Sequence, residues 1–210
     1  MKPTELIRRA QRMIGDKNFD GEMYEWLNKG IRAVITAPAP NIVLPELETS
    51  GTVTTDTNNN VSMPSDYLKN PFLCFNSDGE EIEILITLQD LLRKYEGNID
   101  SDTTVNDVAV VGSTIYYQGV PSTAETLTIH YTKEPDVISR YLDTNITLMP
   151  DYLQEDILSN YIAYMAGVEM GNPEIIQIRR TFFIAGVDEL AKQYSNASRR
   201  FPTGAAMSHI

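Results

Sequence analysis

Met149-Pro150-Asp151-Tyr152-Leu153 decides how this chain is divided, because it stands between a β-patterned stretch and the longest helical pattern in the sequence. A near copy, Met63-Pro64-Ser65-Asp66-Tyr67-Leu68, stands earlier. Each follows residues of β character and reads as a point where a strand hands over to a helical turn. The copies differ in what comes next. Asn70-Pro71 follows the first and limits it to about one turn, since the residue before a proline is pushed out of the helical region. After the second, Leu153, Ile157, Tyr161, Met165 and Val168 form one long stripe at helical spacing. Asp151 with Gln154 predicts a capping box at its start. The phrase marks the two seams of an inserted sheet and carries no catalytic group of its own.

Downstream, Gly171 suits the left-handed residue that ends a helix, and Asn172-Pro173 supplies an N-cap followed by proline at the first helical position. Two long helices joined by so short a turn predict an antiparallel αα-hairpin. The last helix is expected to run to about Tyr194. It carries one stripe of Ile176, Phe183, Val187, Leu190 and Tyr194, and a second of Ile175, Ile178 and Phe182. That face is wider than one partner helix covers, which points to the sheet or a neighbouring subunit. From Ser195 the periodicity stops, and Ser195 to Gly204 is polar and breaker-rich. A frayed terminus and an arm that orders on a partner fit this tail equally.

Upstream, Leu6, Ile7, Ala10, Met13 and Ile14 predict a first helix over Thr4–Ile14, with Arg8, Arg9 and Arg12 on its other face. Three arginines on one face read first as a solvated surface and second as a partner contact. A second helix starts at the N-cap Asp20, with Phe19 stapled to Tyr24, and ends at Pro38 and Pro40. Leu27, Ile31 and Val34 form its stripe, and the single Trp26 reads as a packing residue.

Between the helical flanks the period changes. Thr52–Thr55 and Val61–Met63 predict a hairpin around Asp56–Asn60. Leu73–Phe75 with Glu81–Ile86 predicts a second around Asn76-Ser77-Asp78-Gly79, and Val108–Val111 with Thr114–Gln118 a third around Gly112-Ser113. Leu88 to Tyr95 reads as a short helix. Thr126 to Thr132 alternates strictly, so Leu127, Ile129 and Tyr131 face one way and His130 faces solvent among threonines. The fold class is therefore α+β. Residues 1–40 and 149–195 form a helical bundle, 41–148 a β-rich insert of antiparallel hairpins, and 196–210 an extended C-terminal arm, one compact unit overall.

Composition narrows the chemistry. With 210 residues, 42% of them hydrophobic, the chain can bury a core without staples. The single Cys74, in the apolar run Pro71–Phe75, excludes an internal disulfide framework and reads as a buried, inert thiol. The polar N-terminus and the lack of a long apolar run predict a protein kept in a reducing, soluble compartment, with no membrane contact. A net charge of −12 argues against a broad grip on nucleic acid and suits either solubility or a surface that DNA passes without sticking. His130 and His209 are the only histidines, so neither a histidine metal cluster nor a catalytic triad is expected. No phosphate-binding glycine loop is present. Asn98–Asp102 is rejected as a calcium loop because Thr103 and Ala109 replace the required glycine and glutamate. No catalytic, cofactor-binding or metal residues are assigned and no cofactor is expected.

The order of motifs carries a resemblance. Trp26-Leu27-Asn28-Lys29-Gly30-Ile31-Arg32 lies in the N-terminal pair, and Tyr131-Thr132-Lys133-Glu134-Pro135 ends the insert. Leu148 to Leu153 follows, then Gly171-Asn172-Pro173-Glu174 between the last helices and a loose tail. This arrangement resembles the head-to-tail adaptor (connector, or neck) proteins of tailed bacteriophages, especially short-tailed ones. The resemblance implies a non-enzymatic structural protein of the virion head-tail junction, present in the host cytoplasm during assembly. It would be a ring of about twelve subunits between the portal protein and a tail or nozzle protein, with genomic DNA passing through its channel without specific binding. About −140 charges in such a ring would repel phosphate where they line the lumen. By the same resemblance Arg199, Arg200, Phe201 and the segment to Ile210 are candidate portal contacts. Two other readings stay open on sequence: a cell-wall-degrading tail hydrolase built on an acidic pair, and another tail ring such as a terminator or nozzle part.

Overall fold

The computed structural model describes residues 1–16, 18–36, 42, 44–98, 104–119, 124–141 and 144–198, with side chains to Tyr194. The protein is α+β. Among the described residues, five α-helices and a curled seven-stranded mixed sheet are distributed over two compact units, Met1–Glu46 with Pro135–Ile210, and Leu47–Glu134.

The first unit holds α1 (Pro3–Ile14), α2 (Asp20–Thr36), α4 (Asp151–Glu169) and α5 (Pro173–Ser198). Leu6, Ile7 and Ala10 of α1 and Met23, Leu27, Ile31 and Val34 of α2 are buried, as are Leu153, Ile157, Leu158 and Ile162 of α4. Gly171 stands at φ +63 after α4, and Asn172 Oδ1 accepts from the amides of Glu174 (3.1 Å) and Ile175 (3.2 Å) to open α5. Tyr161 meets Phe183 with ring centroids 5.0 Å apart. A Cβ on Gly186 would stand 2.7 Å from Ile157 Cγ1, and one on Gly167 2.7 Å from Ile175 Cγ2. Contacts that move forward along α4 thus move backward along α5, at a separation that glycine permits.

Several expectations for this unit are corrected. Asp151 and Gln154 do not form a capping box. Pro150 is the N-cap without a side-chain bond, and Gln154 Nε2 donates backwards to the carbonyls of Met149 (2.5 Å) and Ile146 (2.9 Å). A proline cap offers no amide or side chain to answer, so the buried Gln154 satisfies the preceding segment instead. Phe19 meets Trp26, at 5.6 Å between centroids, where the sequence predicted Tyr24, and Asp20 is already helical. The last helix extends past Tyr194 to Ser198. The expected arm therefore loses Asn196–Ser198 to α5. Pro38 and Pro40 lie outside the described residues.

The second unit contains β1 (Glu48–Thr54), β2 (Asn60–Ser62), β3 (Tyr67–Phe75), β4 (Glu81–Leu85), α3 (Leu88–Lys94), β5 (Asp107–Val111), β6 (Thr114–Tyr117) and β7 (Thr126–Lys133). The strand order is β1-β7-β3-β4-β5-β6-β2. Cys74, Ile82, Val108, Ile115, Tyr117, Leu127, Ile129 and Tyr131 make its core. The β3–β4 and β5–β6 hairpins are present, but the sheet is not built of antiparallel hairpins alone. β4 and β5 run parallel with α3 between them, which is how a chain joins parallel neighbours.

The predicted hairpin of Thr52–Thr55 with Val61–Met63 does not form. β1 pairs along its whole length with β7, from Glu48↔Thr132 to Thr54↔Thr126, and β2 pairs with β6. Seven registered residues outweigh three. The polar run between them folds on itself, with Asn58 N donating to Asp56 Oδ1 (2.8 Å). The first phrase opens a strand, not a helical turn. Its Tyr67 N donates to Pro64 O (3.0 Å) to close a turn, and Asn70-Pro71 sits where the β3–β7 register shifts, the place in a sheet that tolerates proline. His130 is also corrected. It is half-buried between the rings of Phe72 (5.9 Å) and Phe75 (5.8 Å), because β3 lies beside β7.

Candidate functional site

The polar clusters of the sheet unit are structural in their chemistry. Asp107 opens β5 with its side chain buried, and Lys94 at the end of α3 reaches it and Glu83, at 2.8 Å each. Hydrogen bonds to Asp107 and then Glu83 raise the Lys94 ammonium above the ordinary lysine range. Tyr95 donates to the other oxygen of Asp107, so the carboxylate ties α3 to the parallel strand pair. Burial pushes the Tyr117 phenol up to about 12, and its oxygen accepts from Asp56 N and donates to Asp56 O, both at 2.7 Å. Tyr131 donates to Asp66, and burial followed by that bond raises its phenol. Asp66 belongs to the first phrase, whose job is thus to pin the start of β3 to the end of β7. Cys74 is fully buried and its thiol is pushed up to about 12 by burial, helped by Glu125, so it stays protonated near neutrality. Among the described residues no group of three or more His, Cys, Asp or Glu could hold a metal ion. Among the described residues no helix is long and apolar enough to cross a membrane.

The helical unit offers surfaces. Along α5, Val187, Leu190 and Ala191 turn inward, while Ile178, Phe182 and Ile184 remain 41–54% exposed. Tyr152 of the second phrase is 55% exposed on the neighbouring helix. Tyr152, Leu153, Asp156, Asn160, Phe182 and Gly186 are among the residues lining a groove of about 370 Å³, which exists because Ala185 and Gly186 present almost no side chain. The second apolar stripe of the last helix was legible in sequence through Ile178 and Phe182. Ile184 and Tyr152 were not, because neither falls on a stripe. Exposed apolar side chains beside a groove, on an otherwise acidic protein, point to an association surface.

The α1 arginines divide. Arg9 turns inward and pairs with Glu155, with Asp156 at 3.7 Å. Arg8 and Arg12 stay exposed and line a groove of about 730 Å³ with Glu5, Gln11, Gly15 and Asp20. The candidate portal contacts Arg199, Arg200, Phe201 and Ile210 lie outside the described residues.

What the described surfaces can do is hold other macromolecules, through an apolar helical face and a guanidinium-lined groove. Against known families, the model described as SU10 adaptor protein matches residues 1–207. No curated protein matches the chain.

Proposed function

We infer that this chain, which belongs to the SU10 adaptor protein family, is a structural, non-enzymatic protein of a phage virion that joins the head to the tail. The family match over residues 1–207 carries this reading. In it, copies assemble into a ring of about twelve subunits beneath the portal protein, and the other side of the ring meets the tail or nozzle protein. Residues 1–40 and 149–195 act as the ring-forming helical bundle, with α4 and α5 as its hairpin, and the strands between them form a second module. The exposed Ile178, Phe182 and Ile184 support a packed neighbour on that bundle, since an isolated subunit gains nothing from leaving them in water. The net charge of −12 per copy suits a channel through which DNA slides without specific binding. Arg199, Arg200, Phe201 and the segment to Ile210 dock on the portal, with arginine and an aromatic as anchors.

The test is native mass spectrometry of the chain mixed with its portal protein. A closed multimer on the portal is expected, and removal of residues 199–210 is expected to abolish docking while the far-UV circular dichroism stays unchanged. A chain that never joins the portal under any condition ends the adaptor reading. Docking that survives the truncation ends the role of the arm alone.

A further inference from the structure

We propose that the Arg8–Arg12 groove of one copy receives the acidic β3–β4 turn, Asp78 to Glu81, of the next copy. The inference rests on the ring reading above and names one joint of that ring.

In the groove Arg8 and Arg12 stand near two carboxylates without being ion-paired to them. Both acids are occupied locally: Glu5 accepts from Lys2 N (3.1 Å) in the α1 capping box, and Asp20 accepts from Gln11. Arg9 has acids of α4 beside it, but among the described residues no ion pair involves Arg8 or Arg12. A second hollow of about 270 Å³ shares Arg8, Gln11 and Asp20 and adds Arg140 and Tyr24. Arg140 lies over the Tyr141 ring at 4.9 Å, and Tyr141 is 80% exposed. Arginine and tyrosine around a concavity are the residue types that dominate protein interfaces. Groove and hollow together carry three arginines against two carboxylates, an excess of one positive charge in a chain with 29 acids against 17 cations, and this favours a carboxylate-bearing partner.

The turn is the complement. Asp78, Glu80 and Glu81 are all exposed, and among the described residues no ion pair involves them. Asn76 Oδ1 accepts from the amides of Asp78 (3.0 Å) and Glu80 (2.8 Å), and Asn76 N donates to Glu80 O (3.0 Å). Gly79, at φ +80, closes the turn without a side chain. The acids are therefore presented on a rigid tip, which loses little freedom on binding. Groove and turn are different patches, so their contact is head-to-tail, the kind that closes into rings.

The test is charge reversal with rescue in the assembly formed on the portal. Arg8→Glu with Arg12→Glu places like charges across the joint and weakens subunit association roughly 100-fold. Asp78→Lys with Glu81→Lys does the same from the other side. Mixing the two reversed chains in equal amounts restores assembly, because each then finds an opposite charge on both neighbours. Separately, Arg12→Cys chains mixed with Glu81→Cys chains under mild oxidation give a covalent dimer of one of each. Circular dichroism unchanged from the wild type keeps a folding defect apart from a lost joint. The proposal is overturned if the reversed chains assemble as the wild type does, if mixing fails to rescue them, or if no mixed covalent dimer forms in an intact assembly. Any of these, with a wild type that assembles, removes this joint and leaves the ring reading standing. A wild type that never assembles removes both.

Discussion

Gly30→Ala sets two energies of opposite sign against each other. Gly30 lies in the middle of α2, where alanine is favoured over glycine by about 1 kcal/mol on helix propensity alone. A Cβ there would stand 2.8 Å from Tyr161 Cδ1 and 3.1 Å from its Cγ. These atoms belong to the inner part of a ring that is itself held against Phe183, so they cannot swing aside as a side-chain tip would. Overpacking of this kind costs about 1–3 kcal/mol. The clash therefore wins, and Gly30→Ala is expected to destabilise the helical unit by about 1 kcal/mol. Gly21, near the start of the same helix, has no atom within 4 Å of its Cβ position, so Gly21→Ala should be neutral to stabilising by up to about 1 kcal/mol. In a Tyr161→Ala background the Gly30→Ala effect should also turn favourable, which a double-mutant cycle measures directly. Urea unfolding followed by the fluorescence of Trp26, the only tryptophan and buried in α2, reports this unit. Stabilisation by Gly30→Ala in the wild type, or an effect that does not change when the ring is removed, would refute the close approach of α2 and α4.

Three further outcomes are expected. Between about pH 8.5 and 12 the unfolded chain ionises Cys74 while the folded one holds its proton up to about 12, so stability falls as pH rises through that window; urea midpoints of Cys74→Ala should fall less steeply there, and a thiol reagent should modify the wild type only on unfolding. Lys94→Met leaves the Asp107 carboxylate buried with Tyr95 alone and should cost the sheet unit about 1–3 kcal/mol; since the raised lysine contributes below its ordinary pKa and loses that contribution as pH climbs past its folded value, the wild-type advantage over the variant should shrink in strong alkali. Ile178→Asp with Phe182→Asp changes exposed side chains, so the midpoint of the isolated chain should move by no more than about 0.5 kcal/mol, while the assembly on the portal is lost.

What could be read before the structure was whatever local chemistry dictates. Asn172-Pro173 after Gly171, the alternation of Leu127, Ile129 and Tyr131, and the turn at Asn76–Gly79 each involve neighbours in sequence, and each stands where its residues pointed. The misreadings share a cause in long-range pairing. β1 and β2 look like a hairpin until β7 arrives from far along the chain with a longer, matching register. Asn70-Pro71 reads as a helix stop because nothing local reveals a sheet that bulges to admit it. Gln154 was assigned to its own helix and serves the segment before it. The candidate site was legible in its apolar half, through Ile178 and Phe182. Its charged half was legible only as three arginines on one face of the first helix, because only the packing of α1 on α4 separates Arg9 from Arg8 and Arg12.

The pairing of β1 with β7 also fixes when this protein can become itself. Glu48 has its partner in Thr132 and Thr54 in Thr126, while α1 is held by Arg9 on Glu155 and by Ser159 Oγ on the Leu6 carbonyl. Both early elements must wait for late ones. At typical translation rates the ribosome takes roughly 4–16 s to pass from the end of β1 to the end of β7. Over that interval the nascent chain exposes a strand edge and two amphipathic helices that have yet to meet α4. A truncated product stopping before α4 can complete neither the helical faces nor, if it ends before β7, the sheet. Translation thus acts as a checkpoint: only a nearly finished chain can fold.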